Sequence, residues 1–468
     1  MTIVRDAPAP ALRPALGVTA RRDRWVRSGA EVLLVAALTL VTWWWGTGGG
    51  LTDLGGWASG LTSVGRLTGL LASVLLLAQV VLMARVPVLE RAFGQDRLAV
   101  LHRLVGFTSF TAMLAHIGLV IWGYAAGDLA RMPGEAWDLT VDYPGMLLAV
   151  AGTACLVMVV VTSIRAARAR LRYESWHLLH LYAYLGVGLA LPHQLWTGQD
   201  FLASTARTVF WWSLWALAVA SVLLWRVGVP AWRSARHRLV VTSVVPEGGS
   251  CVSVYLTGRH LDGLRTHAGQ FFTWRFLTGT GWTRGHPYSL SAAPDRRSLR
   301  ITVKDLGDGS AAVPGLRPGT RVLLEGPYGR LSARARTRDK VALIGAGVGV
   351  TPLRALAEQL DGGPGDVTLL HRFTTQPLFA GELAVLARER GLEVVPLPGR
   401  RRAPGSWLGE GAGPHGVDDL AVLRTRVPDI ADRDVYVCGP APWTQLVETT
   451  LAAAGTPAER VHTETFRW

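Results

Sequence analysis

Lysine is nearly absent from this 468-residue chain: Lys304 and Lys340 are the only two, and every other base is arginine. Cysteine is scarce as well. Cys155, Cys251 and Cys438 lie far apart, which excludes a disulfide framework, a CxxC zinc site and a four-cysteine iron–sulfur cluster. Charged residues make up only 18%, against about 25% in ordinary soluble domains. With 49% hydrophobic residues and a mean hydropathy of +0.26, the chain is not disordered, collagen-like or of low complexity as a whole. No internal repeat is visible.

What is present is apolar sequence concentrated before residue 228. Six candidate membrane spans fall at 30–46, 64–84, 98–122, 144–163, 175–193 and 208–227, the fifth being the least apolar because it holds three histidines. No small-residue cleavage site follows the first, which reads as an anchor rather than a removed signal peptide. The net charge of +14 follows the same layout. Arg5, Arg13, Arg21, Arg22, Arg24 and Arg27 precede the first span. Arg85, Arg91 and Arg97 follow the second, Arg165, Arg168, Arg170 and Arg172 the fourth, and Arg226, Arg233, Arg236 and Arg238 the sixth. The alternate connections hold almost no arginine. Basic residues near spans collect on the cytoplasmic side, so both ends are expected in the cytoplasm of a multi-pass cell-membrane protein. Lipid is the expected partner of this charge pattern, and nucleic acid is not.

Histidine placement is the first chemical signal. An ionisable residue inside a span is costly and commonly functional, although a single one can serve only to bond two helices. His102 and His116 are 14 residues apart, almost four helical turns, so they share a face about 21 Å apart along the axis. His180 and His193 are 13 apart, about 20 Å, on a span running the same way. His102 is expected to meet His180 near the cytoplasmic side, and His116 to meet His193 near the outer side. Two stacked bis-imidazole sites suit two six-coordinate haems dedicated to electron transfer. Thirteen residues of ideal helix leave the second side chain about 140° out of phase, which Pro192, Gly186 and Gly188 can correct by distorting the turn. His177 competes with His180 as a ligand and otherwise packs beside the site. Arg66, at the outer start of the second span, is either an interfacial snorkelling residue or the partner of an outer haem propionate.

From residue 239 the texture changes to short alternating strands punctuated by glycine and proline, the pattern of a small antiparallel barrel ending near Leu331. His286, Pro287, Tyr288, Ser289 and Ser291 lie in a motif whose aromatic ring can lie against an isoalloxazine and whose hydroxyls can bond its polar edge. Gly309 and Ser310 end a glycine turn expected to open a short helix against a pyrophosphate. From Asp339 strands alternate with helices, the mark of a parallel sheet. Gly345, Gly347, Gly349, Thr351 and Pro352 form a GxGxGxTP loop directly after a strand and before a helix, the context a phosphate loop needs. Cys438, Gly439 and Pro440 end a later strand, so both motifs are expected to line one crevice. A buried small apolar role for Cys438 is the plainer alternative. Arg372, after the second strand of this sheet, is a candidate for a 2′-phosphate, as are Arg400, Arg401 and Arg402, which favours NADPH over NADH.

Together, the HPYS, GAGVGVTP and CGP motifs and a near-terminal aromatic resemble a ferredoxin–NADP reductase-type flavoprotein. With the spans and paired histidines in front, residues 30–468 resemble a ferric reductase/NADPH oxidase-type transmembrane flavocytochrome b. The resemblance implies that His102, His116, His180 and His193 ligate two haem b. It places FAD on His286–Ser291 and NAD(P)H on Gly345–Pro352 and Cys438–Pro440, and makes Phe466 the aromatic that shields the flavin. Here Arg467 and Trp468 follow that phenylalanine, and the flavin motif begins with His286 where soluble members have arginine. The expected fold is multi-domain: a cytoplasmic tail (1–29), a six-helix transmembrane haem-binding bundle (30–228), an antiparallel β-barrel FAD domain (236–334) and an α/β parallel-sheet nucleotide-binding domain (336–468). The expected activity moves electrons from cytosolic NAD(P)H to an outside acceptor, with ferric iron or a ferric chelate ahead of oxygen. A non-catalytic cytochrome b subunit and a haem-free flavin reductase are the rivals.

Overall fold

The computed structural model describes residues 18–171, 173–279, 284–414 and 416–466. Arg5, Arg13, Arg172, Arg467 and Trp468 lie outside them. The chain divides into two compact units, one comprising Val26–Leu89 and Asp96–Val227, the other Met1–Trp25, Glu90–Gln95 and Gly228–Trp468.

The first unit is all helical. Its elements are drawn from α1 (Val18–Trp45), α2 (Trp57–Met83), α3 (Pro87–Phe93), α4 (Gln95–Tyr124), α5 (Met132–Asp142), α6 (Met146–Ser163), α7 (Arg165–Arg168), α8 (Tyr173–Trp196) and α9 (Thr205–Val222). Among the described residues, five helices are long and apolar enough to cross a membrane: Arg21–Gly50, Trp57–Met83, Gln95–Tyr124, Met146–Ser163 and Thr205–His237. The six-span expectation is met at five positions. The helix at the remaining one, α8, has ample length, but His177, His180, His193 and Gln194 dilute its apolar content.

Large apolar side chains such as Leu33, Leu104, Phe107, Leu147 and Leu178 point outward and are exposed, an arrangement that water penalises and lipid does not. Inside, Phe201 stacks on Trp211 at 4.1 Å beside Val41, Leu70 and Val74. Helices α6 and α8 approach closely at Gly152 and Gly186, where a Cβ on either residue would fall under 3 Å from the other's carbonyl oxygen. Such small-residue contacts replace the missing hydrophobic drive between helices in lipid. Helix α8 is α-helical throughout, with Pro192 inside it.

In the second unit, α10 (Val229–His237) leads into β1 (Leu239–Gly248), β2 (Cys251–Thr257), β3 (Phe271–Phe276), β4 (His286–Ser289), β5 (Ser298–Lys304) and β6 (Arg321–Tyr328). These form one antiparallel sheet in the order β4-β3-β6-β1-β2-β5. A bridge between Leu290 and Ile301 brings its two edges together. Burial alternates along β3, with Phe272, Trp274 and Phe276 inward, the period-two pattern of a one-sided strand.

After the single turn α11 (Asp308–Ala311) come β7 (Val341–Ala346), α12 (Val350–Gln359), β8 (Val367–Phe373), α13 (Ala380–Arg390), β9 (Glu393–Pro398), α14 (Asp419–Arg426), β10 (Asp434–Pro440), α15 (Ala441–Ala453) and β11 (Val461–Phe466). The five strands are parallel, in the order β11-β10-β7-β8-β9. Every residue of β7 is buried, as expected when both faces of a parallel sheet are covered.

Candidate functional site

In the helical unit, the rings of His102 (α4) and His180 (α8) have centroids 6.0 Å apart. With imidazole–metal bonds of about 2 Å, two rings on opposite sides of one metal have centroids roughly 6 Å apart. His102 Nδ1 lies 3.2 Å from the Gln79 carbonyl oxygen, and His116 Nδ1 lies 2.8 Å from the Gly65 carbonyl oxygen. A carbonyl only accepts, so Nδ1 carries the hydrogen and Nε2 keeps a lone pair. That is how ligand histidines are held in the metal-binding tautomer.

His116 lies flat against Gly69, where any Cβ would come within 2.6 Å of the ring. His180 Nδ1 is 3.4 Å from Ser163 Oγ, and its ring packs on Trp176 at 5.0 Å. His193 is within electrostatic reach of His116. Its Nδ1 is buried without a hydrogen bond of normal geometry, with the Ala190 backbone nearby. His177 is half-buried one turn before His180 and interacts with it electrostatically. Among the described residues no three of His, Cys, Asp or Glu gather to hold a bare metal ion. A metal taken by an imidazole pair must bring its remaining ligands with it, as the iron of a haem does, and the donor set fits that group.

Arg66 is engaged by carboxylates. It donates to Asp200 at 3.1 Å and lies 3.8 Å from Asp53, while Asp200 also holds Arg207 at 2.6 Å. An ion-pair cluster, rather than a free cation awaiting a propionate, surrounds its guanidinium.

In the barrel, β4 presents His286, Pro287, Tyr288 and Ser289. The His286 and Tyr288 rings are nearly parallel with centroids 5.9 Å apart, and His286 sits directly over Gly309. Tyr288 is partly buried, which pushes its phenol up to about 12 and keeps it neutral. Ser289 is buried at the strand end. Two of the expected cofactor contacts have other work. Ser291 is fully buried, and its Oγ accepts from Arg300 Nε at 3.0 Å. Ser310 Oγ closes its own turn, accepting from Leu306 N and donating to the Gly307 carbonyl, each at 2.8 Å. The helix expected there is the one turn α11, too short to present a helix terminus to a pyrophosphate.

In the parallel sheet, Gly345 is the penultimate residue of β7, Gly347–Gly349 make a 3₁₀ turn, and α12 carries Thr351 and Pro352. The Thr351 hydroxyl donates to the Val348 carbonyl and fixes the loop. Cys438 lies between Gly345 of β7 and Glu464 of β11. Gly349 packs against the Cys438 carbonyl and the backbone of Gly439, and Pro440 leads into α15. Loop and CGP motif therefore meet at the carboxyl ends of neighbouring strands. Burial, with Glu464 adding to it, holds the Cys438 thiol well above its ordinary value, so the sulfur is a neutral thiol and not a thiolate. Phe466 pairs with Pro440 and packs against the apolar cluster that contains Cys438. Arg372 is the penultimate residue of β8 and is half-buried; burial, then the charge of Arg401, lowers its pKa. Arg402 is committed to the Pro414 and Val417 carbonyls. Nothing in the sequence singles out Glu464, Arg300, Arg354, Glu358 and Glu382; only their place beside the motifs in the fold marks them.

Comparison with known proteins adds four findings. Residues 68–191 match the family described as ferric reductase like transmembrane component. The chain is 32% identical over 231 residues to the ferredoxin reductase component of 3-ketosteroid-9-alpha-monooxygenase from Mycolicibacterium smegmatis, covering 48% of this chain and 60% of that protein. It is 27% identical to a flavohemoprotein from Xylella fastidiosa over 49% of this chain and 58% of that one. The chain thus joins a ferric reductase-like transmembrane component to a ferredoxin reductase-like half. A solved FAD/NAD binding domain of nitric oxide dioxygenase from Vibrio cholerae matches with 28% identity and a TM-score of 0.39, over 49% of this chain and 99% of that one. The chain spans about 60% of the length of the curated relatives described.

Two histidines give the reductase half a pH signature. Burial, then Arg334 and Arg91, lowers His267 to about 4, and burial lowers His371 to about 4. Both are neutral in the fold, whereas the unfolded chain takes up their protons near the ordinary 6.5. Their folded pKa values are depressed, so stability is fullest above that value and falls as pH drops toward 4. The thermal midpoint for loss of near-UV ellipticity is expected to fall between pH 7 and 4.5, and His267→Gln to flatten that fall. Equal slopes for the two proteins would contradict the assignment.

Proposed function

We propose that the chain is a transmembrane oxidoreductase that passes electrons from cytosolic NADPH to an acceptor on the far side of the cell membrane, with ferric iron in a small chelate as that acceptor. When bound, FAD supplies conversion of a hydride into two single electrons, and two haem b supply a path for them across the bilayer. The residues divide this work by place. His102 with His180, and His116 with His193, would hold the haems through their Nε2 lone pairs in a six-helix bundle that counts α8 as a span. His286, Tyr288, Ser289 and Gly309 would cradle the flavin, and Gly345–Pro352 with Cys438–Pro440 the nucleotide. Phe466 would cover the flavin face until nicotinamide displaces it. The arginine-rich connections support a topology with both chain ends and the reductase half on the cytoplasmic side. Outward electron movement from a negative interior is favoured by about 2.3 kcal/mol per 100 mV.

The observation that carries this reading is that His102 and His116, each with Nδ1 on a carbonyl and so a lone pair on Nε2, lie beside His180 and His193 in the same chain as a strand–loop–helix nucleotide crevice. Spectroscopy tests it directly. The purified chain should show a Soret band that shifts on adding NADPH, with two haems and one FAD per chain. A flavin spectrum without a Soret band would leave a haem-free reductase and remove the proposal.

Arg372 and Arg401 support NADPH over NADH, since a 2′-phosphate would meet both. Charge-assisted hydrogen bonds contribute about 1.5–3 kcal/mol, so Arg372→Ala should cut the NADPH-over-NADH preference in kcat/KM by at least about tenfold. An unchanged ratio would take Arg372 out of the site.

A further inference from the structure

Outside the proposed cofactor sites, two buried arginines and two glutamates form a cluster where the barrel meets the nucleotide-binding domain. Arg300, on β5 of the barrel, is 3% exposed, yet every nitrogen of its guanidinium is used. Nη1 donates to Glu382 Oε1 at 2.6 Å and Nη2 to Glu382 Oε2 at 2.9 Å, a bidentate pair. Nε bonds Ser291 Oγ at 3.0 Å, and Nη2 also bonds the Ser291 carbonyl at 2.7 Å. The Phe379 ring lies 5.1 Å from the guanidinium carbon. From the other domain, Arg354 on α12 reaches the same carboxylate, its Nη2 2.7 Å from Glu382 Oε2, and pairs with Glu358 one turn along its helix.

Backbone of the barrel is held by the same helix. Ala293 N donates to Glu358 Oε2 at 2.7 Å, and Ala268 N donates to Gln359 Oε1 at 2.9 Å. Two features make this more than an ordinary interface. Helix α12 is the one opened by the Gly345–Pro352 loop, and the gripped segment Ser291–Ala293 follows two residues after Ser289 of the flavin motif. The two guanidiniums also repel each other across the domain boundary, and the Glu382 carboxylate between them is what turns that repulsion into attraction.

We propose that Glu382 is a positioning residue: by binding Arg300 of the barrel and Arg354 of the nucleotide-binding domain together, it fixes how far the nucleotide crevice stands from the flavin motif. The inference rests on the proposed function, since it concerns the approach of nicotinamide to flavin. Removing the charge leaves two buried cations facing each other with Glu358 alone between them, a configuration expected to open the boundary because unpaired buried charge is strongly destabilising. Glu382 itself is about one-third exposed, so the glutamine is accommodated at its own position.

The test uses the full chain in detergent, with Glu382→Gln and Glu382→Asp compared with the wild type. The first readout needs no nucleotide: hydrogen exchange of peptides covering Ala268 and Ser291–Ala293. In Glu382→Gln these should exchange at least tenfold faster while the β7 peptide is unchanged, and Glu382→Asp, which keeps the charge, should recover most of the protection. The second is single-turnover reduction of bound FAD by NADPH. Its limiting rate should fall at least tenfold with FAD content unchanged and the apparent NADPH Kd within threefold. If Glu382→Gln does not accumulate, Glu358→Ala removes the acceptor of the Ala293 N–H and is read the same way. Faster exchange with an unchanged reduction rate would reduce Glu382 to a purely structural role and overturn the proposal, as would unchanged exchange. A wild-type flavin that neither NADPH nor NADH reduces would instead overturn the functional reading, and this inference with it.

Discussion

The His193→Ala protein is expected to retain one haem per chain in place of two, to be reduced by NADPH at the remaining site, and to deliver no electrons to an acceptor on the outer side. The argument begins with the pairing. His193 lies near His116, and the carbonyl of Gly65 orients the His116 ring through Nδ1. Without His193 that metal position has one protein ligand, and a five-coordinate haem in an apolar site is lost far more readily than a six-coordinate one. The other position keeps both rings, His102 and His180, 6.0 Å apart. His180→Ala should give the complementary result: loss of the inner haem and no NADPH-driven reduction of the outer one. His177→Ala should keep two haems. Haem content by pyridine haemochrome and reduction spectra in sealed vesicles read all three proteins. Loss of a haem in His177→Ala with two retained in His180→Ala would move the ligand register on α8 by one turn and leave the electron-transfer reading in place.

Why some of this could be read from sequence and some not has physical reasons. Strands such as β3 announce themselves because one face is buried, so Phe272, Trp274 and Phe276 fall at every second position. The motif loops are readable because glycine is required where two backbones touch, as Gly349 and Cys438 do. Helix α8 is harder: the histidines that make it chemically interesting are the residues that lower its hydropathy. Strand β11 is hard to read because an edge strand carrying Thr463, Glu464 and Thr465 has no apolar alternation, and α14 because it is short and polar. The Arg300–Glu382 pair joins residues 82 positions apart, and a charge that will be buried looks the same in sequence as one on the surface. Only the fold separates them. Ser291 shows the converse: its place in a flavin-like motif invites a cofactor contact, but Arg300 takes its hydroxyl.

Gly349→Ala should weaken nucleotide binding by roughly ten- to a hundredfold while leaving FAD content intact. Gly349 has φ −62° and ψ −14°, so an alanine needs no unusual backbone there. The penalty is steric: its Cβ would press on the Cys438 carbonyl and lie 3.1 Å from the Gly439 Cα. Neither atom is free to yield, because Cys438 is tied to Gly345 on one side and Glu464 on the other through the sheet. The loop must move instead, and overpacking of this kind costs about 1–3 kcal/mol, which sets the fold-change in Kd. Gly347→Ala is the control. That residue has φ +55° and nothing within 4 Å of an added Cβ, so only the left-handed backbone cost of about 1–2 kcal/mol applies, with no clash against the CGP strand. Calorimetric titration with NADP⁺ should therefore rank wild type above Gly347→Ala and Gly347→Ala above Gly349→Ala, and only Gly349→Ala should also alter the reactivity of the Cys438 thiol. The barrel keeps its own apolar core around Phe272, Trp274 and Ile301, which is why flavin retention separates a local displacement of the loop from unfolding of the reductase half. Wild-type NADP⁺ affinity in Gly349→Ala would mean that the loop and the Cys438 strand do not share one crevice.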